Sequence, residues 1–346
     1  MRAVRKTDHG AGHVECVEID EPKIRKGCVK IKVEYCGICG SDSHIFGDFE
    51  TPTAPLPIPF TFGHELSGTI VEIGEGVEKF NVGDRVTSNV ITGYCGRCEA
   101  CVSGHPGLCK HSHNAGYECD GAMAEYFVIE EGMVFALPDN ISFEEGAQVE
   151  PACVAAHAVL ELCNIKPSEV CVIMGCGPIG LLVLQFAKAC GAECVCVDVS
   201  KFQNRLDLAK KYGADYVFAN DQAHVVEEVR RLTKGQGVSY VFECTGDDMC
   251  FDQAVMMSKV HGKIVEIAIT NDAGSTHRAF LLAVMMGLDI QCSFGHSYDT
   301  WPKVLQMMAE GKISTKDLVS HKFVFEDINK AIELDDPAKL KILMHP

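Results

Sequence analysis

No run of eighteen apolar residues occurs in the chain, so the usual signature of a membrane-spanning helix is missing. Met1 to His13 scatter charges without an apolar centre, which argues against a secretory leader and for a cytoplasmic protein. Lysine and arginine form no long basic block, and the formal net charge is -17. Nucleic acid and anionic membranes are repelled by that balance, so neither is expected as a partner. What remains is an acidic surface on a chain with 47% hydrophobic and 23% charged residues, an ordinary globular composition. At 346 residues it exceeds what one core usually serves, and two domains are expected.

Cysteine is in surplus, at nineteen. Without an export signal a disulfide framework is not expected, so most of them read as reduced small hydrophobes or metal ligands. Cys171, Cys176, Cys190, Cys194 and Cys196 stand among Val, Ile and Ala and read as packing residues. Cys36 to His44 is different: it gathers Cys36, Cys39, Ser41, Asp42 and His44 on a glycine-punctuated stretch, read as a turn after the strand-like Val29 to Tyr35. One such turn cannot complete a metal site.

Up to about Val149 the pattern is short β-branched runs without a long amphipathic helix. Leu66 to Ile73, Asp84 to Val90, Ala124 to Ile129 and Val134 to Leu137 join Val29 to Tyr35 as expected strands of a barrel-like β unit. Pro52, Pro55, Pro57 and Pro59 stiffen the connection that ends at Gly63, His64 and Glu65, so His64 and Glu65 are candidates to face Cys39. Cys95, Cys98, Cys101 and Cys109 follow, with two, two and seven residues between them. Two-residue gaps bring thiolates onto one ion, and four thiolates close a tetrahedral zinc shell with no open position. A bacterial iron-sulfur motif would continue with a three-residue gap and Cys-Pro, whereas here Lys110 follows Cys109. The lobe therefore reads as a structural zinc site.

Past Pro151 the period changes. The apolar run Val170 to Met174 leads into Gly175, Gly177, Pro178, Ile179 and Gly180, then the helical Leu181 to Cys190 and the strand Cys194 to Val197, ending at Asp198. Strand, glycines, helix, strand and acid in that order specify a Rossmann nucleotide site. Gly175 permits the bend, Gly177 the approach of the pyrophosphate, and Gly180 close packing of helix on sheet. A carboxylate at Asp198 accepts hydrogen bonds from the adenosine ribose and repels a 2′-phosphate, so NAD is preferred over NADP, while Lys201 and Arg205 nearby keep NADP open. Asp215 to Ala219, Val238 to Glu243, Lys263 to Ile269 and Leu288 to Cys292 are expected strands. Helical patterns at Lys201 to Tyr212, Ala223 to Thr233, Asp252 to Lys259 and Arg278 to Met286 alternate with them. Thr245, after one of these strands, sits where a cofactor crosses the sheet.

Cys39, the Gly63 to Glu65 triplet and the Cys95 to Cys109 lobe together resemble the zinc-containing medium-chain dehydrogenases, and the likeness runs along essentially the whole chain. Within that family it is most similar to the sorbitol (polyol) dehydrogenase branch. The resemblance implies an α/β protein, with a GroES-like β-barrel catalytic domain at 1–153 and 294–346 and a doubly wound Rossmann domain at 154–293. It implies two zinc ions per chain, one catalytic and one structural, NAD as cofactor, and a homodimer or homotetramer with Leu288 to Cys292 pairing across it. Cys39 and His64 are the implied ligands of the catalytic zinc, with Glu65 or Glu150 completing the shell, and Glu150 is favoured over Cys153 in the run Val149 to Cys153. Ser41 and His44 correspond to the family's proton relay, running through the nicotinamide ribose to solvent, and Asp42 to a residue that orients the histidine ligand or the turn.

After Ser293 the chain resembles the returning segment of the catalytic domain. Phe294 to His296 match a substrate-side strand, Thr300 to Pro302 the helix it leads into, and Ile342 to Met344 a closing strand. Animal sorbitol enzymes carry Arg and Tyr at Gly295 and His296, so the likeness does not name the polyol. Tyr117, Phe46 and His296 are candidates to line the pocket.

The implied reaction is oxidation of a secondary alcohol in a polyol or sugar derivative to a ketone, reversibly. Zinc lowers the pKa of bound water from roughly 16 to about 7, on the order of 12 kcal/mol, while a positioned base contributes only about 3 to 5 kcal/mol, so metal activation dominates. Threonine 3-dehydrogenase, 2,3-butanediol dehydrogenase and a sugar-alcohol-phosphate dehydrogenase are the alternative activities. A noncatalytic nucleotide-binding scaffold is the remote alternative, set against the presence of Cys39, His64 and Glu150.

Overall fold

The computed structural model describes residues 1–48, 56–268 and 277–346. It divides into two compact units, one made of Met1–Pro151 with Ser297–Pro346 and the other of Ala152–His296.

In the first unit the alternating β-branched runs do form strands. The main sheet runs Val134–Ala136, Arg85–Ser88, Glu65–Ile73, Cys28–Gly37, Lys341–His345, Val319–Val324, and Tyr126–Glu130 also pairs with Cys28–Gly37. Val29, Ile31 and Val33 alternate inward, the register shifts between Val33 and Tyr35, and Cys36 then points inward; each of the four is 1% exposed or less. Helix Thr300–Ala309 packs on this unit through Trp301, which is fully buried and stacks on Phe135 at 4.9 Å between ring centroids. A second, smaller sheet joins Val14–Glu18, Arg2–Lys6 and Phe60–Thr61.

Two local expectations change. Cys36 and Gly37 end a strand, and the residues read as a turn form helix Gly40–Phe46. Asp42 Oδ2 accepts the Cys39 backbone N–H at 2.8 Å, so polar residues that suggested a turn act as the helix's opening cap. Phe294 to His296 form no strand; Gly295, at φ +67°, leaves the extended region that a ladder requires. Pro52, Pro55 and Ile269 lie outside the described residues.

The second unit is a six-stranded parallel sheet in the order Tyr216–Ala219, Glu193–Asp198, Val170–Met174, Val238–Glu243, Ser258–Glu266, Asp289–Cys292. The order reverses at Val170–Met174, the switch point where open α/β sheets bind ligands. Helix Pro178–Ala189 buries Leu181 to Ala187 almost throughout, which explains why its sequence is apolar on all sides. No disulfide joins any of the nineteen cysteines, all of which are described residues. Among the described residues no helix is long and apolar enough to cross a membrane.

Candidate active site and zinc centres

Strand Cys28–Gly37 delivers Cys39 at the N-cap of helix Gly40–Phe46. Strand Glu65–Ile73 pairs with it antiparallel, Gly37 opposite Glu65, which brings His64 and Glu65 to the same end of the sheet. The donor atoms of Cys39, His64 and Glu65 lie within 4.8 Å of one another. His64 and Glu65 are buried, at 5% and 1% exposure.

The charges here are tightly coupled. Burial is the largest single influence on His64 and pulls its imidazolium down, but Cys39, Asp42 and Glu150 together outweigh it and push His64 up to about 10. Burial raises Asp42 to about 6, against the pull of His64 and the Cys39 N–H. His64 Nδ1 stands 3.9 Å from Asp42 Oδ1, too far for a hydrogen bond but close enough to turn that ring edge toward the carboxylate. A divalent cation takes imidazole and cysteine in their deprotonated forms, so its binding there would release protons from the donors. A thiolate, an imidazole and a carboxylate at this separation fit zinc with one position left open.

Glu65 has a partner that its sequence neighbourhood does not announce. Lys341 Nζ, 5% exposed, donates to both carboxylate oxygens of Glu65, at 2.8 and 2.7 Å, and to the Ile38 carbonyl at 3.1 Å. A Cβ on Gly37 would collide with Glu65 Oε2, so glycine is needed for this carboxylate to lie flat on the strand. Glu150 opens helix Val149–Ala156 and is outside the three-donor set, but its charge is felt at His64, Tyr117 and Lys341. Cys153, in the same helix, is fully buried and also outside the set.

Ser41 and His44 are three residues apart on helix Gly40–Phe46 and so share a face, while Asp42 and Ile45 are the buried residues of the other. The Ser41 hydroxyl is hydrogen-bonded to the Tyr117 hydroxyl, and the Tyr117 ring lies 5.0 Å from the His64 ring.

The second group of donors is Cys95, Cys98, Cys101 and Cys109, again within 4.8 Å of one another. Sulfur–sulfur distances are 3.5 Å for Cys98–Cys101 and 4.0 Å for Cys95–Cys101. Zinc–sulfur bonds of about 2.3 Å in a tetrahedron require edges of about 3.8 Å, so the spacing suits the ion. Backbone N–H groups of Cys95 and His111 pull Cys109 down to about 6, whereas burial and Cys98 push Cys101 up to about 11. Such a split is what four thiols sharing few protons produce, and a cation would take the place of those protons.

In the second unit Gly175 has φ +89°, and a Cβ on Gly180 would overlap the Gly175 carbonyl oxygen, so the tight turn and the close packing each demand glycine. Gly177 caps helix Pro178–Ala189 with no protein atom within 4 Å of where its Cβ would be, Pro178 is the first helical residue, and Ile179 follows it. Asp198 ends its strand and accepts the Cys176 N–H at 2.9 Å, which joins it to the glycine turn. Arg205 stacks on Phe202 at 3.8 Å with its Nη1 4.0 Å from Asp198 Oδ2. Thr245 is held by Glu243, which accepts from the Thr245 hydroxyl, from its N–H at 2.9 Å and from the Gly246 N–H at 2.8 Å. Glu243 is opposite Glu266 on the next strand, and burial together with Glu243 pushes Glu266 up to about 8. Both Glu243 and Lys341 escaped the motif reading because their partners follow from strand pairing or a turn, not from spacing.

The lysine that holds Glu65 makes a direct prediction. Removing one partner of a buried ion pair leaves the other charge uncompensated, a loss of about 3 to 5 kcal/mol. Lys341→Ala is expected to unfold at correspondingly lower denaturant than the parent, with Lys341→Arg closer to it. Equal midpoints for parent and Lys341→Ala would show that Glu65 does not rely on this lysine.

The profile described as "Alcohol dehydrogenase GroES-like domain" matches residues 25–139, and that described as "Zinc-binding dehydrogenase" matches residues 178–310. Sorbitol dehydrogenase of Halalkalibacterium halodurans is 34% identical over 348 residues, covering 100% of this chain and 99% of its own. D-arabitol-phosphate dehydrogenase of Enterococcus avium is 31% identical, covering 96% of this chain and 94% of its own. The crystal structure of 2R,3R-butanediol dehydrogenase from Bacillus subtilis superposes with a TM-score of 0.87 at 34% identity, covering 100% of this chain and 99% of that one. Two clusters of metal-ligating side chains on a β unit, a nucleotide fold and relatives matched end to end converge on one assignment: the chain belongs to the zinc-containing medium-chain alcohol and polyol dehydrogenases, near their sorbitol dehydrogenase branch.

Proposed function

We propose that the protein oxidises a secondary alcohol of a polyol or sugar derivative to the ketone, reversibly, with NAD and two zinc ions per chain. The observation that carries this reading is the Cys39, His64 and Glu65 donor set, with the Ser41 hydroxyl on the helix that Cys39 opens. Zinc bound there would supply the Lewis acidity that makes an alcohol's proton removable near neutral pH, and NAD the acceptor for its hydride. Cys39 and His64 are the fixed donors. Glu65 completes the set from the grip of Lys341, and Glu150 tunes the open position through its negative charge. Ser41 accepts the alcohol's proton, and His44, on the same helical face, passes a proton on to solvent. The Cys95 to Cys109 lobe holds the second zinc, with no position free for substrate.

Asp198 favours NAD: its carboxylate, tied to the Cys176 N–H, offers acceptors to ribose hydroxyls and repels a 2′-phosphate. Self-association is supported by helix His277–Met286, where Phe280, Leu281, Val284 and Met285 are 52–78% exposed beside the edge strand Asp289–Cys292. An apolar face next to a strand that is unpaired on one side among the described residues is the composition of a surface that a second copy covers.

Turnover of polyols, sugar-alcohol phosphates, threonine and butanediol, each with NAD and with NADP, tests the assignment. A non-phosphorylated polyol with NAD is expected to be fastest, and chelation should abolish turnover; full activity of the metal-free protein would end the zinc reading. Metal analysis should give two zinc ions per chain and one in Cys39→Ser, while Glu150→Ala keeps two but turns over slowly. Asp198→Ala should lower the NAD-to-NADP preference in kcat/KM by about 10- to 100-fold, at about 1.4 kcal/mol per tenfold. By light scattering the parent should be a dimer or tetramer and a Leu281→Glu, Met285→Glu double variant a monomer; a monomeric parent would remove the proposed interface.

A further inference from the structure

The loop that carries Tyr117 is more firmly held than a pocket wall requires. Ala115 donates its N–H to the Val90 carbonyl at 3.0 Å, Gly116 to Cys119 at 2.9 Å and Tyr117 to Asn114 at 3.1 Å. Glu118 accepts from both the backbone and the side-chain nitrogen of Asn114, at 2.8 and 3.1 Å. A Cβ on Gly116 would come 2.7 Å from the Gly63 carbonyl oxygen, so this loop lies directly against the segment that supplies His64. The outcome is a phenol fixed between two residues of the proposed site: its hydroxyl on Ser41, its ring 5.0 Å from His64. Ser41 and Tyr117 are 76 residues apart in sequence, and no local motif links them.

We propose that Tyr117 is a positioning residue for the proton relay: its hydroxyl donates to Ser41 Oγ and thereby sets the direction in which Ser41 passes protons. A phenol is a better donor and a poorer acceptor than an aliphatic hydroxyl, because its oxygen shares electron density with the ring. In this pair the phenolic proton therefore points at Ser41. Serine has one proton and two lone pairs. With one lone pair taken by Tyr117, the second is left for the alcohol's proton, and the serine's own proton must leave by another path, toward His44 and solvent. The proton balance is simple: one proton moves from alcohol to Ser41 Oγ, one leaves Ser41, Tyr117 keeps its own, and the hydride with its electron pair goes to the oxidised cofactor. The donated hydrogen bond also stabilises negative charge that develops on Ser41 Oγ while its proton is in transit, the same physics as an oxyanion-hole donor. Were the bond reversed, with Ser41 donating, the serine proton would be locked on the phenol and the relay blocked.

The inference rests on the proposed role of Ser41, and the variants separate the two. Tyr117→Phe keeps the ring against His64 and removes only the hydroxyl. It is expected to keep both zinc ions and its KM within about threefold, to lower kcat about 10- to 100-fold, and to raise the solvent deuterium isotope effect on kcat as proton transfer becomes limiting. The double variant Ser41→Ala, Tyr117→Phe should be no slower than Ser41→Ala alone, because the phenol acts through the serine. A readout that needs no turnover is the tyrosine ring-mode doublet in the Raman difference between parent and Ser41→Ala, which should show one tyrosine changing from donor to a different state. That spectrum also serves if Tyr117→Phe does not fold. A Tyr117→Phe enzyme with parental kcat and isotope effect, an additive double variant, or a flat Raman difference would each overturn the role of Tyr117 while leaving Ser41 in place. A Ser41→Ala enzyme as fast as the parent would instead remove the relay itself.

Discussion

The buried pair between Glu65 and Lys341 is the constraint on which the rest of the first unit depends. Taking a carboxylate and an ammonium out of water costs several kcal/mol per ion, so neither is tolerable without the other. Three neighbouring strands make the pairing possible: Glu65 faces Gly37, and Lys341–His345 runs antiparallel on the other side of the Gly37 strand. Glycine at the middle position removes the side chain that would separate the charges. Strand Lys341–His345 is thereby tied to the candidate donor set of Cys39, His64 and Glu65. It also orients a carboxylate beside Cys39 and His64, where a flexible glutamate would spread over many rotamers.

The nucleotide unit uses the same device on a smaller scale. Glu243, with no exposed surface, is satisfied by the N–H groups of Thr245 and Gly246, so a turn of unremarkable sequence is held at the carboxyl end of the sheet. Asp198 does likewise for the glycine turn through the Cys176 N–H. In the nucleotide unit two acidic residues at strand ends accept from backbone that no ladder satisfies, where Glu65 in the first unit accepts from the Lys341 ammonium. The recurring economy is that groups needed for a ligand are kept rigid by carboxylates that are themselves fixed by strand register.

Legibility varied with the range of the interaction. Val170 to Met174 and Val238 to Glu243 coincide with the observed strands because a parallel strand covered on both faces reads as an apolar run, unbroken in the first and interrupted only at Ser239 before Glu243 ends the second. Cys36 to His44 read as a turn because Gly, Ser and Asp favour turns and helix caps alike, and only the Asp42 bond to the Cys39 N–H separates the two. Phe294 to His296 were expected to extend a strand, but the left-handed Gly295 breaks the ladder, and a glycine's φ is not written in its neighbours. The N-terminal strands Arg2–Lys6 and Val14–Glu18 alternate charge with small apolar residues too weakly to stand out.

The sequence by itself determined the donor types: four thiols at short gaps, a cysteine followed by a His-Glu pair, and a glycine turn followed by an acid. These are legible because a metal or a pyrophosphate constrains residues that are close along the chain. Tertiary structure alone decided that Lys341 grips Glu65, that Tyr117 meets Ser41, and that Glu65, with Glu150 standing outside, completes the close set with Cys39 and His64. The Glu65 choices depend on which strands pair and in what register, where a one-residue slip would turn either side chain to the opposite face, and the Tyr117 contact depends on a loop laid against the segment before His64.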